Sequence, residues 1–193
     1  MAKKLFRSPD RSYYRLSYLL WLAIIALIMV VIITAMYFQY FDSELPCPLC
    51  LCQRLCFLGV AYAAIMHFKG FNRLKYTGIG LLFTALLLAV SIKQSLLDIC
   101  GTKGHAWVGS AFFGIHMPIW SFLISMFILL LLAFDLIFLT KNTNQNSDEY
   151  PDLKLCATIL SWIIVGLCAI NFISVFIQCG ISACHTTGYT LLS

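Results

Sequence analysis

The residues of this chain best suited to chemistry are two cysteines separated by two positions, in the segment Pro46-Cys47-Pro48-Leu49-Cys50. Proline is tolerated in the first turn of a helix, where its missing N–H has no intrahelical partner, so Pro48 predicts a helix that begins beside Cys47. The dipole of a helix N-terminus favours thiolate, and a Cys-x-x-Cys spacing there is typical of reactive dithiols. The motif therefore predicts a redox-active pair. The alternatives are a structural disulfide or half of a zinc site, and zinc needs two further ligands that do not stand nearby in the sequence.

Arg54 stands four residues after Cys50, so the two side chains share one face of a helix. An arginine one turn inside a membrane helix is costly unless it reaches the interface or meets an anionic or polar partner. A Cys50 thiolate and the polar ring of a bound quinone are both suitable partners. The alternative is an interfacial anchor that binds lipid phosphate, and the residue alone does not decide between these interpretations.

Five nearly uncharged stretches must position these residues. Of 193 residues, 61% are apolar and 11% are charged, whereas about 25% are charged in an ordinary soluble domain. A membrane span needs about 20 apolar residues, so the chain has no room for a separate soluble domain. We predict an all-α membrane protein, a four-helix transmembrane bundle plus a fifth transmembrane helix, forming one integral membrane domain over residues 1–193. The spans are predicted at residues 16–40, 51–68, 76–97, 112–140 and 155–178.

Lysine and arginine are divided unequally between the two sides of these spans. Ten of the 13 lie on the side of the amino terminus and three on the other side. Because positive loops are retained in the cytoplasm, we predict a cytoplasmic amino terminus and an external carboxy terminus. The net charge of +5 reflects these loops, so we expect no nucleic-acid partner. Five of the nine cysteines then lie at the outer surface, where an oxidising compartment lets disulfides persist: Cys47, Cys50, Cys100, Cys179 and Cys184.

These motifs resemble the DsbB family of disulfide bond formation proteins, enzymes of the bacterial inner membrane. The similarity rests on Cys47-Pro-Leu-Cys50 followed by Arg54, and on Phe113-Gly-Ile-His-Met-Pro-Ile-Trp120, which is similar to a Gly-x-x-Met-Pro-x-Trp stretch of the family. The resemblance spans roughly residues 16–140. It implies a quinone-dependent protein-disulfide oxidoreductase that reoxidises a periplasmic, DsbA-like thioredoxin-fold thiol oxidase and passes electrons to ubiquinone or menaquinone. It also implies that Cys47 and Cys50 form the quinone-coupled disulfide and that Arg54 helps to bind the quinone.

The chain departs from the family in its second pair of cysteines. The family has two in the loop between the third and fourth helices, where this chain has only Cys100, and it has four spans rather than five. The outer tail after the fifth span contains Cys179 and Cys184, which can supply the missing thiols. Three pairings stay open: Cys179 with Cys184, Cys100 with one of these, or Cys100 transiently with Cys47. We favour Cys179 with Cys184, because a short loop closes at low entropic cost and Gly180 eases the turn. A histidine that assists quinone binding in the family's third helix has no clear counterpart.

Two other classes of function fit part of this pattern. A membrane protein that binds or transports a soft metal ion would use Cys100, Cys179, Cys184 and His185 as ligands for copper or zinc. A structural subunit would use its outer disulfides only to brace loops. Membrane lipid surrounds the protein in each case. Quinone-dependent thiol oxidation distinguishes the oxidoreductase from both alternatives. Metal content distinguishes the metal-binding protein from the structural subunit.

Overall fold

Five long α-helices make up most of the computed structural model, which describes residues 9–41, 46–69, 72–100, 111–139 and 151–179. The helices are α1 (Pro9–Phe41), α2 (Pro48–Phe68), α3 (Arg73–Ile99), α4 (Met117–Phe134) and α5 (Pro151–Cys179). A π-helical turn, Asp135–Leu139, continues α4. Each helix is long and apolar enough to cross a membrane, over Arg15–Phe41, Pro48–Phe68, Arg73–Leu97, Met117–Phe138 and Leu153–Ile177. The prediction of an all-α membrane protein with five spans is confirmed.

The fourth helix begins at Met117, whereas the sequence predicted a span from residue 112. Ala111–Phe112 and Ile115–His116 pair as two short antiparallel strands, β1 and β2. Phe113 and Gly114 connect them with φ angles of 53° and 75°, the left-handed conformations that a tight hairpin turn requires at both positions. The backbone geometry of this turn, rather than hydropathy, therefore sets the start of α4.

The helices pack around a core to which α1 contributes most. α2, α3 and α4 lie side by side, while α1 packs against α2 and against the π-helical turn, and α5 packs against α1 and α2. Trp21 is fully buried in this core, opposite Gly80 of α3. A Cβ atom at Gly80 would come within 3.1 Å of the Trp21 ring. The small residue therefore lets two membrane helices approach closely, as is common in such bundles.

A buried carboxyl group joins three helices near the carboxy-terminal end of α2. Asp135 accepts hydrogen bonds from the hydroxyl of Ser17, from Nε1 of Trp21 at 3.0 Å and from Oγ1 of Thr77 at 3.4 Å. Trp21 also stacks on His67, near the end of α2, with ring centroids 4.7 Å apart. Ionisable groups inside a membrane bundle need such polar partners, so this cluster explains how a carboxyl group is accommodated in the fourth span.

Candidate active site

Cys47 and Cys50 lie together where α2 begins. Cys47 is the N-cap residue, with φ −70° and ψ 161°, and Pro48 takes the first helical position. The Cys47 sulfur accepts a hydrogen bond from the backbone N–H of Cys50 at 3.2 Å. The two sulfurs are 2.7 Å apart and both residues are partly exposed. The predicted helix cap is confirmed, and the dithiol stands at one end of the bundle.

The surroundings of Cys47 shift the pKa of its thiol in opposite directions. The hydrogen bond with Cys50, burial, and repulsion from negative charge on the Cys50 sulfur all raise the pKa of Cys47 well above its ordinary value. Backbone N–H groups of Leu49 and Cys50 lower the pKa of Cys47, but by less. The helix terminus favours thiolate here as predicted, yet the second sulfur outweighs it, because two adjacent thiolates would repel each other. Loss of the Cys47 proton from the reduced pair is therefore disfavoured.

Gln94 of α3 connects the dithiol to a polar chain inside the bundle. Its Nε2 lies 3.3 Å from the Cys50 sulfur and 3.5 Å from the Cys47 sulfur, and donates toward both. Its Oε1 accepts from Nε2 of Gln53 at 2.9 Å, and Oε1 of Gln53 accepts from the Ser121 hydroxyl at 3.1 Å. Because Gln53 occupies the oxygen of Gln94, the amide N–H groups of Gln94 face the sulfurs.

Arg54 is buried between α1, α2 and α5 and does not extend to the surface as a lipid anchor would. Only 7% of its surface is exposed. The guanidinium donates to Oε1 of Gln39 at 2.6 Å, to the carbonyl oxygen of Ala35 at 3.0 Å and to Oδ1 of Asn171 at 3.3 Å. These oxygens have no formal charge, so they hold the guanidinium without neutralising it.

The predicted second redox pair falls largely outside the described residues. Cys100 caps the end of α3 and is exposed. Together with Lys93 and four apolar residues, it lines an open groove of about 430 Å³ on α3. The side chain of Cys179 and the whole of Cys184 and His185 are outside the described part, so the proposed pairings and metal ligands stay predictions. Among the side chains that are described, no group of three His, Cys, Asp or Glu residues is arranged to hold a metal ion.

Sequence reasoning missed the uncharged polar residues around the dithiol and the arginine. They are Gln39, Gln53, Gln94, Ser121, Asn171 and Ser174. Each of these residues is neutral, so none of them stands out as a charge within an apolar span. An amide within an apolar run was the available signal, because amides inside a membrane seek interhelical hydrogen bonds. The third helix does have a polar residue at the dithiol, Gln94, although it is not a histidine.

Fold and site together define a class of protein: a helical membrane protein with a dithiol at a helix N-terminus and a buried arginine one turn further on. The family model described as "Disulfide bond formation protein DsbB" matches residues 17–108. Over these residues the chain is similar to the DsbB family, which confirms the resemblance there. The matched region includes α2 and α3 and ends before α4 and α5. No match to a curated protein or to a solved structure was found.

Proposed function

We propose that this protein is a membrane thiol:quinone oxidoreductase that reoxidises a periplasmic DsbA-like dithiol oxidase and passes the electrons to a membrane quinone. The observation that carries the proposal is the Cys47 and Cys50 pair at the start of a membrane-spanning helix, with Arg54 buried one turn further along. The partly exposed sulfurs can be reached by thiols of the outer segments or of a soluble protein, whereas Arg54 is buried within a membrane span. Disulfide bond formation is the activity named for the matched family.

The proposed reaction transfers two electrons and two protons. A thiolate of the soluble partner attacks a disulfide of this protein, the S–S bond breaks and a mixed disulfide forms. The partner's second thiol resolves the mixed disulfide, so the partner leaves oxidised and two thiols remain here. In the arrangement favoured by the sequence, Cys179–Cys184 is attacked first, and its thiols then reduce Cys47–Cys50. Cys100 carries this exchange through a transient mixed disulfide with Cys47; Cys179–Cys184 is re-formed, and two thiols remain at Cys47 and Cys50. A bound quinone supplies the acceptor for the two electrons and two protons of the Cys47–Cys50 dithiol.

The polar groups at the dithiol end suit a quinone better than a metal ion. A quinone ring has two carbonyl oxygens, which need hydrogen-bond donors. The guanidinium of Arg54 is purely a donor, and Gln94 turns its N–H groups toward the sulfurs. A metal ion would require acceptor ligands instead. We propose that Arg54 holds ubiquinone or menaquinone and that Gln94 sets the hydrogen bonding of the dithiol.

The test is quinone reduction by the purified protein in lipid nanodiscs, with a reduced DsbA-like protein as electron donor. Cys47→Ser and Cys50→Ser should each abolish quinone reduction, because the two-electron exchange needs both sulfurs. Arg54→Met should keep the disulfide but raise the KM for quinone, since only the charged contact is lost. Cys52→Ser changes an exposed thiol on the same helix and should leave the rate unchanged. If the parent protein oxidises no thiols with quinone, the proposed function is wrong; if Arg54→Met keeps the parent's KM, the role of Arg54 is wrong.

We further propose that the single membrane domain is inserted in the bacterial inner membrane with its amino terminus in the cytoplasm and its carboxy terminus in the periplasm. The distribution of lysine and arginine supports this orientation. With five spans, Cys156 and the tail after residue 179 lie on opposite sides. A membrane-impermeant thiol reagent, applied to intact spheroplasts after reduction, should label Cys179 or Cys184 and spare Cys156. The reverse labelling would contradict the orientation.

A further inference from the structure

The buried seam of α5 changes from apolar to polar along its length. Among the side chains described for residues 153–177, the buried ones are Ala157, Ile164, Asn171 and Ser174. The intervals between them are seven, seven and three residues, which is the spacing of a helix that packs along one narrow face. The first two are apolar, and the last two are polar and meet residues of α1 and α2. Most of the other large apolar side chains of α5 are exposed, as expected for a helix that faces lipid.

Both polar residues of this seam act on Arg54. Asn171 accepts directly from the guanidinium at 3.3 Å. Ser174 accepts from Nε2 of Gln39 at 2.7 Å, and Oε1 of the same Gln39 accepts from Arg54 at 2.6 Å. With its nitrogen held by Ser174, the amide of Gln39 presents its oxygen to the arginine. The reversed amide would set N–H groups against N–H groups, which cannot bond to each other.

We propose that Asn171 and Ser174 are positioning residues that orient the guanidinium of Arg54 for the quinone. This inference rests on the proposed function, because it assumes that Arg54 binds the electron acceptor. A long arginine side chain inside a membrane otherwise turns toward the interface. Groups that hold it in place beforehand reduce the entropy lost when a ligand binds. The match to the DsbB family ends before α5, so the fifth helix adds this support from outside the matched region.

The test compares quinone binding and turnover in α5 variants. Asn171→Leu should raise the KM for a short-chain quinone about tenfold with kcat at saturation unchanged; tenfold corresponds to about 1.4 kcal/mol, which is the scale of one hydrogen bond. Ser174→Ala should shift KM in the same direction. Equilibrium dialysis of the same quinone against protein with alkylated thiols should show the same loss of affinity without turnover. Ser174→Thr, which keeps the hydroxyl, should behave like the parent. Thr158→Val should also behave like the parent, because the exposed Thr158 hydroxyl donates to the carbonyl oxygen of Lys154 within α5.

A double variant distinguishes positioning from general destabilisation. Because Asn171 acts through Arg54, Arg54→Met with Asn171→Leu should bind quinone no more weakly than Arg54→Met alone. Two results would overturn the inference. One is an additive loss of quinone affinity in the double variant, and the other is parent-like quinone binding in both Asn171→Leu and Ser174→Ala while Arg54→Met binds weakly. The proposed function would survive either result. If Arg54→Met itself binds quinone like the parent, the role of Arg54 and this inference fail together. Should Asn171→Leu not assemble, the smaller change Ser174→Ala decides alone.

Discussion

Replacing Gln94 with leucine should make the Cys47–Cys50 disulfide a weaker oxidant. The carboxamide donates toward the sulfurs at 3.3 and 3.5 Å, and such a bond stabilises a thiolate more than a disulfide sulfur. A hydrogen bond to a charged group contributes about 1.5–3 kcal/mol and a neutral one about 1 kcal/mol. For a two-electron couple about 1.4 kcal/mol corresponds to about 30 mV. The reduction potential should therefore fall by about 30–65 mV if the reduced pair holds a thiolate, and by about 20 mV if it holds two thiols.

The assay is a redox titration of the purified protein in dithiothreitol or glutathione buffers, with alkylation and mass spectrometry reporting the reduced fraction. Repeating it over a range of pH separates the thiolate case from the dithiol case. Thr84→Val is the matched control, because it removes a buried hydroxyl of α3 that bonds to the carbonyl of Gly80 at 2.7 Å. Thermal unfolding of Gln94→Leu measures any loss of stability that comes from removing the hydrogen bond between Gln53 and Gln94. An unchanged potential in Gln94→Leu, or an equal fall in Thr84→Val, would refute the reasoning.

Three further substitutions test other parts of the structure. Cys50→Ala removes the neighbour that raises the pKa of Cys47, so the pH midpoint for alkylation of Cys47 by iodoacetamide should move lower than in the reduced parent; an upward or absent shift contradicts this. Asp135→Leu leaves three donors without their acceptor, and at about 0.6 kcal/mol for each interhelical bond the free energy of unfolding should fall by about 2 kcal/mol. Its KM for quinone should stay unchanged because the cluster is remote from the dithiol. Gly59→Ala places a Cβ against the ring of Phe83 and should cost about 1–3 kcal/mol of stability, measured by unfolding in mixed detergent; an unchanged stability would show that the ring moves freely.

Much of the framework is local and could be predicted from sequence. Five apolar runs of membrane length predict five helices, because each backbone polar group in lipid must be satisfied within its own helix. The N-cap at Cys47 is also local, since Pro48 supplies the first-turn geometry and the cysteine sulfur reaches an N–H only three residues away. The start of α4 was predicted wrongly, because a left-handed turn at Phe113 and Gly114 interrupts an apolar stretch that hydropathy treats as continuous.

Only the tertiary structure decided which neutral residues surround the dithiol and the arginine. Gln94 meets sulfurs that lie more than 40 residues earlier in the chain, and Arg54 is held by Gln39 from α1 and Asn171 from α5. In a soluble protein, the boundary between apolar and polar faces would orient each helix. Lipid is as apolar as the bundle interior, so a membrane helix shows no such boundary. Its rotation is decided by close packing and by the few interhelical hydrogen bonds, which exist only once the helices have assembled.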